Sequence, residues 1–417
     1  MRQQFESHRI DDLSQAVEQS LAKAKLADKI EPGQSVAIAV GSRGIANLKE
    51  VVIDIVGFVA AAGGKPFVVP AMGSHGGATS QGQIAMLGSF GIEQKSIGCP
   101  VVASMETILV GTTSEGVDVY FDKVASEADH VIIVNRVKPH TRLFGKIESG
   151  IVKMLMVGLG KHRGAKLYHQ VFPLYDYTLD RLATTIVPML VEKMPITLGL
   201  AIVEDAFDQT SLVQAILPSD FLTKEPELLE LAKSRMPCLP FDHADLLIVD
   251  QIGKEISGTG LDTNVVGRKQ NDNSAAANEF PKIRQIYVRS LTEKTAGNAN
   301  GIGIAEYCHQ NVVDVMDKEV TKTNCITSAH VTAGAIPLTF ESDRRALEAV
   351  ISQTGKDQVA NLKWMWISDT LHVSELACSH GYWEAAQKRN DIELLSSPRS
   401  LTFDDDGNLI ALHSLDH

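Results

Sequence analysis

The chain is poor in the features that mark whole classes of protein. Its five cysteines (Cys99, Cys238, Cys308, Cys325, Cys378) are far apart, with no CxxC pair among the 417 residues. An odd and scattered set excludes a disulfide scaffold and reads as reduced thiols. No run of about 18 uninterrupted apolar residues occurs, so no membrane span is expected. The opening residues, Met1 to Asp12, are polar and charged, unlike a signal peptide, and a cytoplasmic location is the expectation. Cations are in deficit: 39 Lys and Arg stand against 51 Asp and Glu, a formal charge of −12. Sequence-independent nucleic-acid binding needs clustered cations to neutralise phosphates, and this balance argues against it. A small anionic substrate remains compatible, because a local basic pocket can sit inside an acidic protein. Neither GxxxxGK[ST] nor GxGxxG with its downstream acid is present.

What the chain does have is alternation. Ser35 to Val40, Lys65 to Val69, His130 to Val134 and Ile196 to Val203 are short apolar runs of strand type, the first two followed by helical stretches at 47–62 and up to Gly88. After an acidic, Pro-containing passage at 213–241 the pattern resumes with Ala244 to Val249, Gln285 to Val288 and Trp364 to Ile367. Strands separated by helices predict βαβ crossovers and mainly parallel sheets. The expected fold class is α/β, as two α/β domains with a cleft between them, residues 1–240 and 241–417.

In open α/β sheets ligands bind beyond the carboxyl ends of the strands, and three predicted strand ends carry unusual residues. The first leads to Arg43 inside a Gly-rich turn. The second leads to Gly73-Ser-His75-Gly-Gly77, small residues flanking an imidazole. The third leads to Lys138-Pro-His140, where Pro139 stops the strand. Two His residues at neighbouring strand ends converge on one crevice. Downstream, Ser149 is placed to cap a helix whose first turn holds Gly150 and, just after it, Lys153, a pattern like an anion site. A basic cluster follows (Lys161, His162, Arg163, Lys166, His169), which taken alone reads as a solvated face. In the second half, Lys294 to Gly303 is Gly/Asn-rich, either packed under a strand or exposing amides to substrate, and Trp364 and Trp366 read as core or interface aromatics.

Taken in order, Gly73-Ser-His75, Pro139-His140, Ser149-Gly-x-x-Lys153 and His169 resemble the N-terminal domain of nickel-dependent lactate racemase, most closely over 135–170. The sixteen-residue step from Lys153 to His169 agrees with that family's spacing between cofactor lysine and metal-binding histidine. The resemblance implies a racemase or epimerase that inverts the hydroxyl-bearing carbon of a 2-hydroxy acid. It implies a nickel-pincer nucleotide cofactor (pyridinium-3,5-bisthiocarboxylic acid mononucleotide with nickel), supplied by cofactor-biosynthesis enzymes. Lys153 would be joined to it through a thioamide, with Ser149 and Gly150 beside it, and His169 would be the protein ligand to nickel. His75 and His140 would be paired general acid/bases, and Arg43 a substrate-binding cation.

The sequence also departs from the lactate enzymes. Val40 stands where an Asp is usual, the step from His140 to Lys153 is three residues longer, and the second-domain Tyr-Gln and Lys that hold lactate are not recognisable. The corresponding stretch, 257–268, offers Asn264 and Arg268 as substrate-binding candidates. The Asn and Thr residues near 257–301 point toward a sugar acid rather than lactate. Two other readings stay open: a zinc-dependent hydrolase or lyase with His75, His140 and His169 as ligands, and a non-catalytic nucleotide-binding protein.

Overall fold

A computed structural model describes residues 1–41, 44–355 and 359–410. The chain divides into two compact units, Glu6–Met236 and the pair of segments Met1–Phe5 with Pro237–His417. The two-residue strand β1 (Arg2–Gln3) therefore goes with the second unit, although it opens the chain.

In the first unit the strands are β2 (Ser35–Val40), β3 (Lys65–Pro70), β4 (Thr107–Thr112), β5 (Asp118–Asp122), β6 (His130–Arg136), β7 (Ile196–Glu204) and β8 (Thr210–Ile216). Five of them, among the described residues, form one sheet in the order β3-β2-β6-β7-β8. The first four are mutually parallel and β8 closes the edge antiparallel to β7. β4 and β5 make a separate antiparallel hairpin. Side chains alternate strictly between the two faces of the sheet. Ala37, Ala39, Val131, Ile133, Ala201 and Val203 enter one core, and Val36, Ile38, Ile132, Val134, Leu200 and Ile202 enter the other. A parallel sheet covered on both sides explains why these strands read as unbroken apolar runs. The helices Leu13–Lys23 and Leu48–Ala61 contribute buried residues to the second core. Residues 151–172 and the helices Asp180–Lys193 and Phe221–Arg235 contribute to the first.

The passage at 213–241, read from composition as a break, contains the end of β8 and all of the helix Phe221–Arg235. Its acidic outer face and Pro226 hide a buried stripe of Phe221, Glu225, Leu228, Leu229 and Ala232.

The second unit has β9 (His243–Ile252), β10 (Lys282–Leu291), β11 (Tyr307–His309), β12 (Leu338–Phe340), β13 (Trp364–Ile367), β14 (Ala377–Cys378) and β15 (Ile392–Glu393). Its main sheet runs β12-β11-β10-β9-β13-β14, parallel except for β14, and β1 pairs with β15. The mixed helices and mainly parallel sheets are those expected of an α/β protein. Trp366 lies in the core, its indole N–H donating to Asp250 at 2.7 Å, while Arg289 joins Asp250 to the buried Asp343.

The Gly/Asn-rich segment is packing. Asn300 is 1% exposed and Ala299 fully buried, and a Cβ at Gly260 would meet the Asn300 carbonyl at 2.1 Å. Arg268, expected to meet a substrate carboxylate, is fully buried instead. Its guanidinium donates to the carbonyls of Ile304 (2.6 Å) and Ile283 (3.1 Å) and to Glu306 (2.8 Å). An arginine so committed ties loops together and offers nothing to a ligand. Removing one partner of a buried pair typically costs about 3–5 kcal/mol. Arg268→Ala is therefore expected to lower unfolding stability by roughly that amount in urea titration; a loss within experimental scatter would contradict the buried role.

Candidate active site

The site is built where the sheet changes direction. From β2 the chain crosses to β3 on one side, and later to β6 on the other, so β2 and β6 flank a switch point. The turns leaving β2, β3 and β6 all lie at the carboxyl edge. Arg43 lies outside the described residues. The flank of the turn leaving β2 is tight: a Cβ on Gly41 would meet Asn135 Oδ1 at 3.0 Å and the Met154 side chain at 2.8 Å. Arg136, at the end of β6, reaches Gly44 and is ion-paired with Glu204.

The segment carrying Lys153 is tied to the same edge. The Asn135 amide donates to the Gly150 carbonyl at 2.8 Å, and the Lys138 N–H to the Ser149 carbonyl at 2.9 Å. Ser149 does not cap the helix as its sequence position suggests. Gly150 holds the cap position, and Ser149 is drawn instead into a bridge with Lys138. The capping acceptor comes from elsewhere in the chain: the buried Glu225 takes the Val152 N–H at 2.8 Å. A Cβ at Gly150 would meet that carboxyl at 2.6 Å, so residue 150 must be small.

Lys153 ends the short helix Ile151–Lys153, and a π-helical turn, Met154–Gly158, follows at once. Wide turns of this kind cluster at functional sites. The Gly158 carbonyl accepts from the Gly73 N–H at 3.1 Å, and a Cβ at Gly158 would lie 2.6 Å from the Ala71 carbonyl. This close approach brings the His75 turn against the Lys153 segment. Lys161 then adopts a left-handed backbone (φ 52°). Its ammonium is fully buried against Asp122 at 2.7 Å and the Pro70 carbonyl. That anchor turns the chain into the helix Lys161–Val171, on which His169 is half-buried edge-on to Phe172. The basic cluster thus divides: His162, Arg163 and Lys166 are exposed, whereas Lys161 is structural.

The electrostatics link these groups. Burial, followed by the charge of Lys138, pulls the Lys153 amine down to about 7. Burial, followed by the charge of Lys153, lowers the pKa of His169. The charge of Lys153 thus reaches His169, sixteen residues further along the chain. In the sequence Lys138 is only the start of the Lys-Pro-His turn; its N–H bond to the Ser149 carbonyl ties that turn to the segment leading to Lys153. His75 is exposed, its N–H donating to the Met72 carbonyl at 3.1 Å while its own carbonyl accepts from Gln83. His140 is half-buried, its N–H bonded to Glu148 at 2.8 Å. Asn264 lies in the second unit, its amide on Asp262 at 3.0 Å.

Residues 3–175 match the model of the lactate racemase N-terminal domain. Over those residues the chain is similar to the lactate racemase N-terminal domain. The fold is similar to that of the lactate racemase apoprotein from Thermoanaerobacterium thermosaccharolyticum, at 16% identity and TM-score 0.55, over 89% of this chain and 94% of that one. A crystal structure of a protein from Thermotoga maritima matches at 15% identity and TM-score 0.49, over 79% of this chain and 83% of that one. No curated protein matches. Within the matched residues, the His75 and His140 turns and the segment leading to Lys153 lie at the carboxyl edge of β3, β2 and β6, and His169 is on the helix that follows. Among the described residues no group of three or more His, Cys, Asp or Glu is placed to hold a metal. That removes the support for a three-His zinc site.

Two titrations follow from this geometry. Burial raises the Glu225 carboxyl to about 7, against an ordinary 4.5. The folded protein then binds a proton that the unfolded chain releases, so stability falls as pH rises from about 4.5 through 7. Glu225→Gln keeps an acceptor for the Val152 N–H, and should be more stable than the wild type at pH 8 with the gap closing toward pH 4.5. Lys153 has the opposite slope. Its folded pKa of about 7 lies below the ordinary 10.5, so stability rises with pH across that window. Lys153→Met should raise the Tm of the cofactor-free protein most at pH 7 and below, and least near pH 10.5. Parallel pH–Tm curves for variant and wild type would refute either assignment.

Proposed function

We propose that the chain is a racemase or epimerase of 2-hydroxy acids that works with a nickel-pincer nucleotide joined to Lys153 and liganded by His169. The pairing of a half-buried amine near pKa 7 with an imidazole on the adjoining helix carries this reading. An amine with that value is substantially unprotonated at neutral pH and therefore nucleophilic, as a thioamide linkage requires. A His kept neutral is in the form that binds metal, and one protein nitrogen beside soft donors suits planar Ni(II). The residues present thus fit the group, and the small residues Gly73, Gly150 and Gly158 keep the surrounding backbone close.

When bound, the nucleotide supplies an electron-poor pyridinium carbon able to take a hydride from C2 of the substrate. The chain's own residues do the rest. His75 and His140, from two strand ends, are proposed to act on the substrate hydroxyl, by proton transfer or by hydrogen bonding, tasks suited to imidazole near neutral pH. Arg43 is proposed as the carboxylate cation, since a guanidinium matches that planar group. Asn264 is proposed as a second-domain contact, and cofactor-biosynthesis enzymes as the source of the nucleotide. The substrate is placed as a 2-hydroxy acid. Several of the polar residues that pointed to a sugar acid (Thr259, Asn298, Asn300) are buried within the second unit and give little support for it.

Intact-mass analysis of protein made alongside the cofactor-making enzymes and nickel should show an adduct that maps to Lys153 and is absent from Lys153→Ala. The loaded protein should invert enantiopure 2-hydroxy acids in D₂O without placing deuterium at C2. Deuterium at C2 would mean proton abstraction, and absence of the adduct would remove the cofactor assignment.

A further inference from the structure

We propose that His140 is fixed as the tautomer with its hydrogen on Nε2, and that it meets the ligand as a hydrogen-bond donor, leaving proton acceptance to His75. The identity of the ligand rests on the preceding reading; the state of the ring does not.

His140 Nδ1 accepts the backbone N–H of Arg142 at 2.9 Å and of Leu143 at 3.0 Å. Backbone amides only donate, so the nitrogen they face presents its lone pair. A neutral imidazole carries one hydrogen, which must then sit on Nε2. In this form Nε2 has no lone pair with which to take the hydroxyl proton. The lone pair that exists is already engaged by two amides, and protonating it would set an N–H against two N–H donors. Turning the ring over would put the Cδ2–H edge where the amides point and leave two donors without their acceptor.

The surrounding structure reinforces the pose. The His140 N–H is bonded to Glu148, whose side chain is 1% exposed and reaches Lys233 at 3.2 Å. Pro139 restricts the backbone immediately before it. Glu148 and Lys233 are therefore positioning residues for the ring. His75, by contrast, is exposed, in a turn flanked by Gly73, Gly76 and Gly77. The two imidazoles are built differently, and the symmetric assignment of two bases does not follow from their both being His. A preset Nε2–H suits an oxygen on which negative charge grows, such as the substrate's hydroxyl oxygen as its proton leaves or its carboxylate.

The test uses the full-length, cofactor-free protein with ¹⁵N-labelled histidine. Two-bond ¹H–¹⁵N correlation at pH 7.5 should show His140, identified by its loss in His140→Gln, with a protonated Nε2 and an acceptor Nδ1. A protonated Nδ1, or the averaged pattern of a freely exchanging ring, would overturn the proposal. Because no cofactor or substrate is involved, this outcome is independent of whether the racemase reading stands. In loaded enzyme, His140→Gln retains an N–H donor but cannot carry a proton. It should lose less than about tenfold in kcat, whereas His140→Ala should lose about 10²–10³, the usual cost of one preset donor. His75→Gln should be as damaged as His75→Ala. Equal losses for His140→Gln and His140→Ala, with both variants folded by thermal melt, would rule out the donor role.

Discussion

Keeping an amine largely out of water is the constraint that organises the first unit. Among the described residues, the charge that acts on Lys153 is another cation, Lys138, rather than a carboxylate. Desolvation without a counter-charge favours the neutral amine, and the local architecture sustains that condition. The turn bearing Lys153 starts under a buried carboxyl, widens into a π-helical turn, and is tied to the ends of β3 and β6. Glu225 and Lys153 occupy opposite ends of one short helix, and both are drawn to about 7 by burial. Neither group shifts the other, and each is partly in its neutral form at neutral pH.

The strained point of the segment lies between the two cofactor candidates. Lys161 takes a left-handed backbone that costs a non-glycine residue on the order of 1–3 kcal/mol. Its fully buried contact with Asp122, on the hairpin strand β5, over-determines that conformation. The hairpin thereby earns a purpose: it supplies the counter-charge that lets the chain turn back toward the sheet and bring His169 into the field of Lys153.

Much of the fold was legible because a doubly covered parallel sheet writes itself as short apolar runs. Ser35–Val40 and Trp364–Ile367 coincide with β2 and β13 residue for residue, and His130–Val134 falls short of β6 by two. What escaped was amphipathic or paired at long range. The helix Phe221–Arg235 presents acidic text outward, and Glu225 looks like one more surface carboxylate until the fold buries it beneath Gly150. The order of His75, His140, Lys153 and His169 could be read along the chain, since each sits just past a strand or on a neighbouring helix. Partners such as Lys138 with Lys153, or Glu148 with the His140 N–H, are set by turns that composition does not encode. Arg268 misled for the reverse reason: a cation in a polar loop suggests a ligand contact, and only the folded chain shows its hydrogens spent on carbonyls.

The pairing of β1 with β15 has a consequence for anyone dissecting the molecule. Because Arg2 and Gln3 lie beside Glu393 and Ile392, the second unit is discontinuous in sequence, with the whole of Glu6–Met236 inserted between its first strand and its remainder. A fragment beginning at Pro237 would lack that edge ribbon and the two contacts the Gln3 amide makes with the carbonyls of Cys238 and Val373. Circular permutation that joins the opening pentapeptide behind residue 410 would be the more faithful way to isolate it.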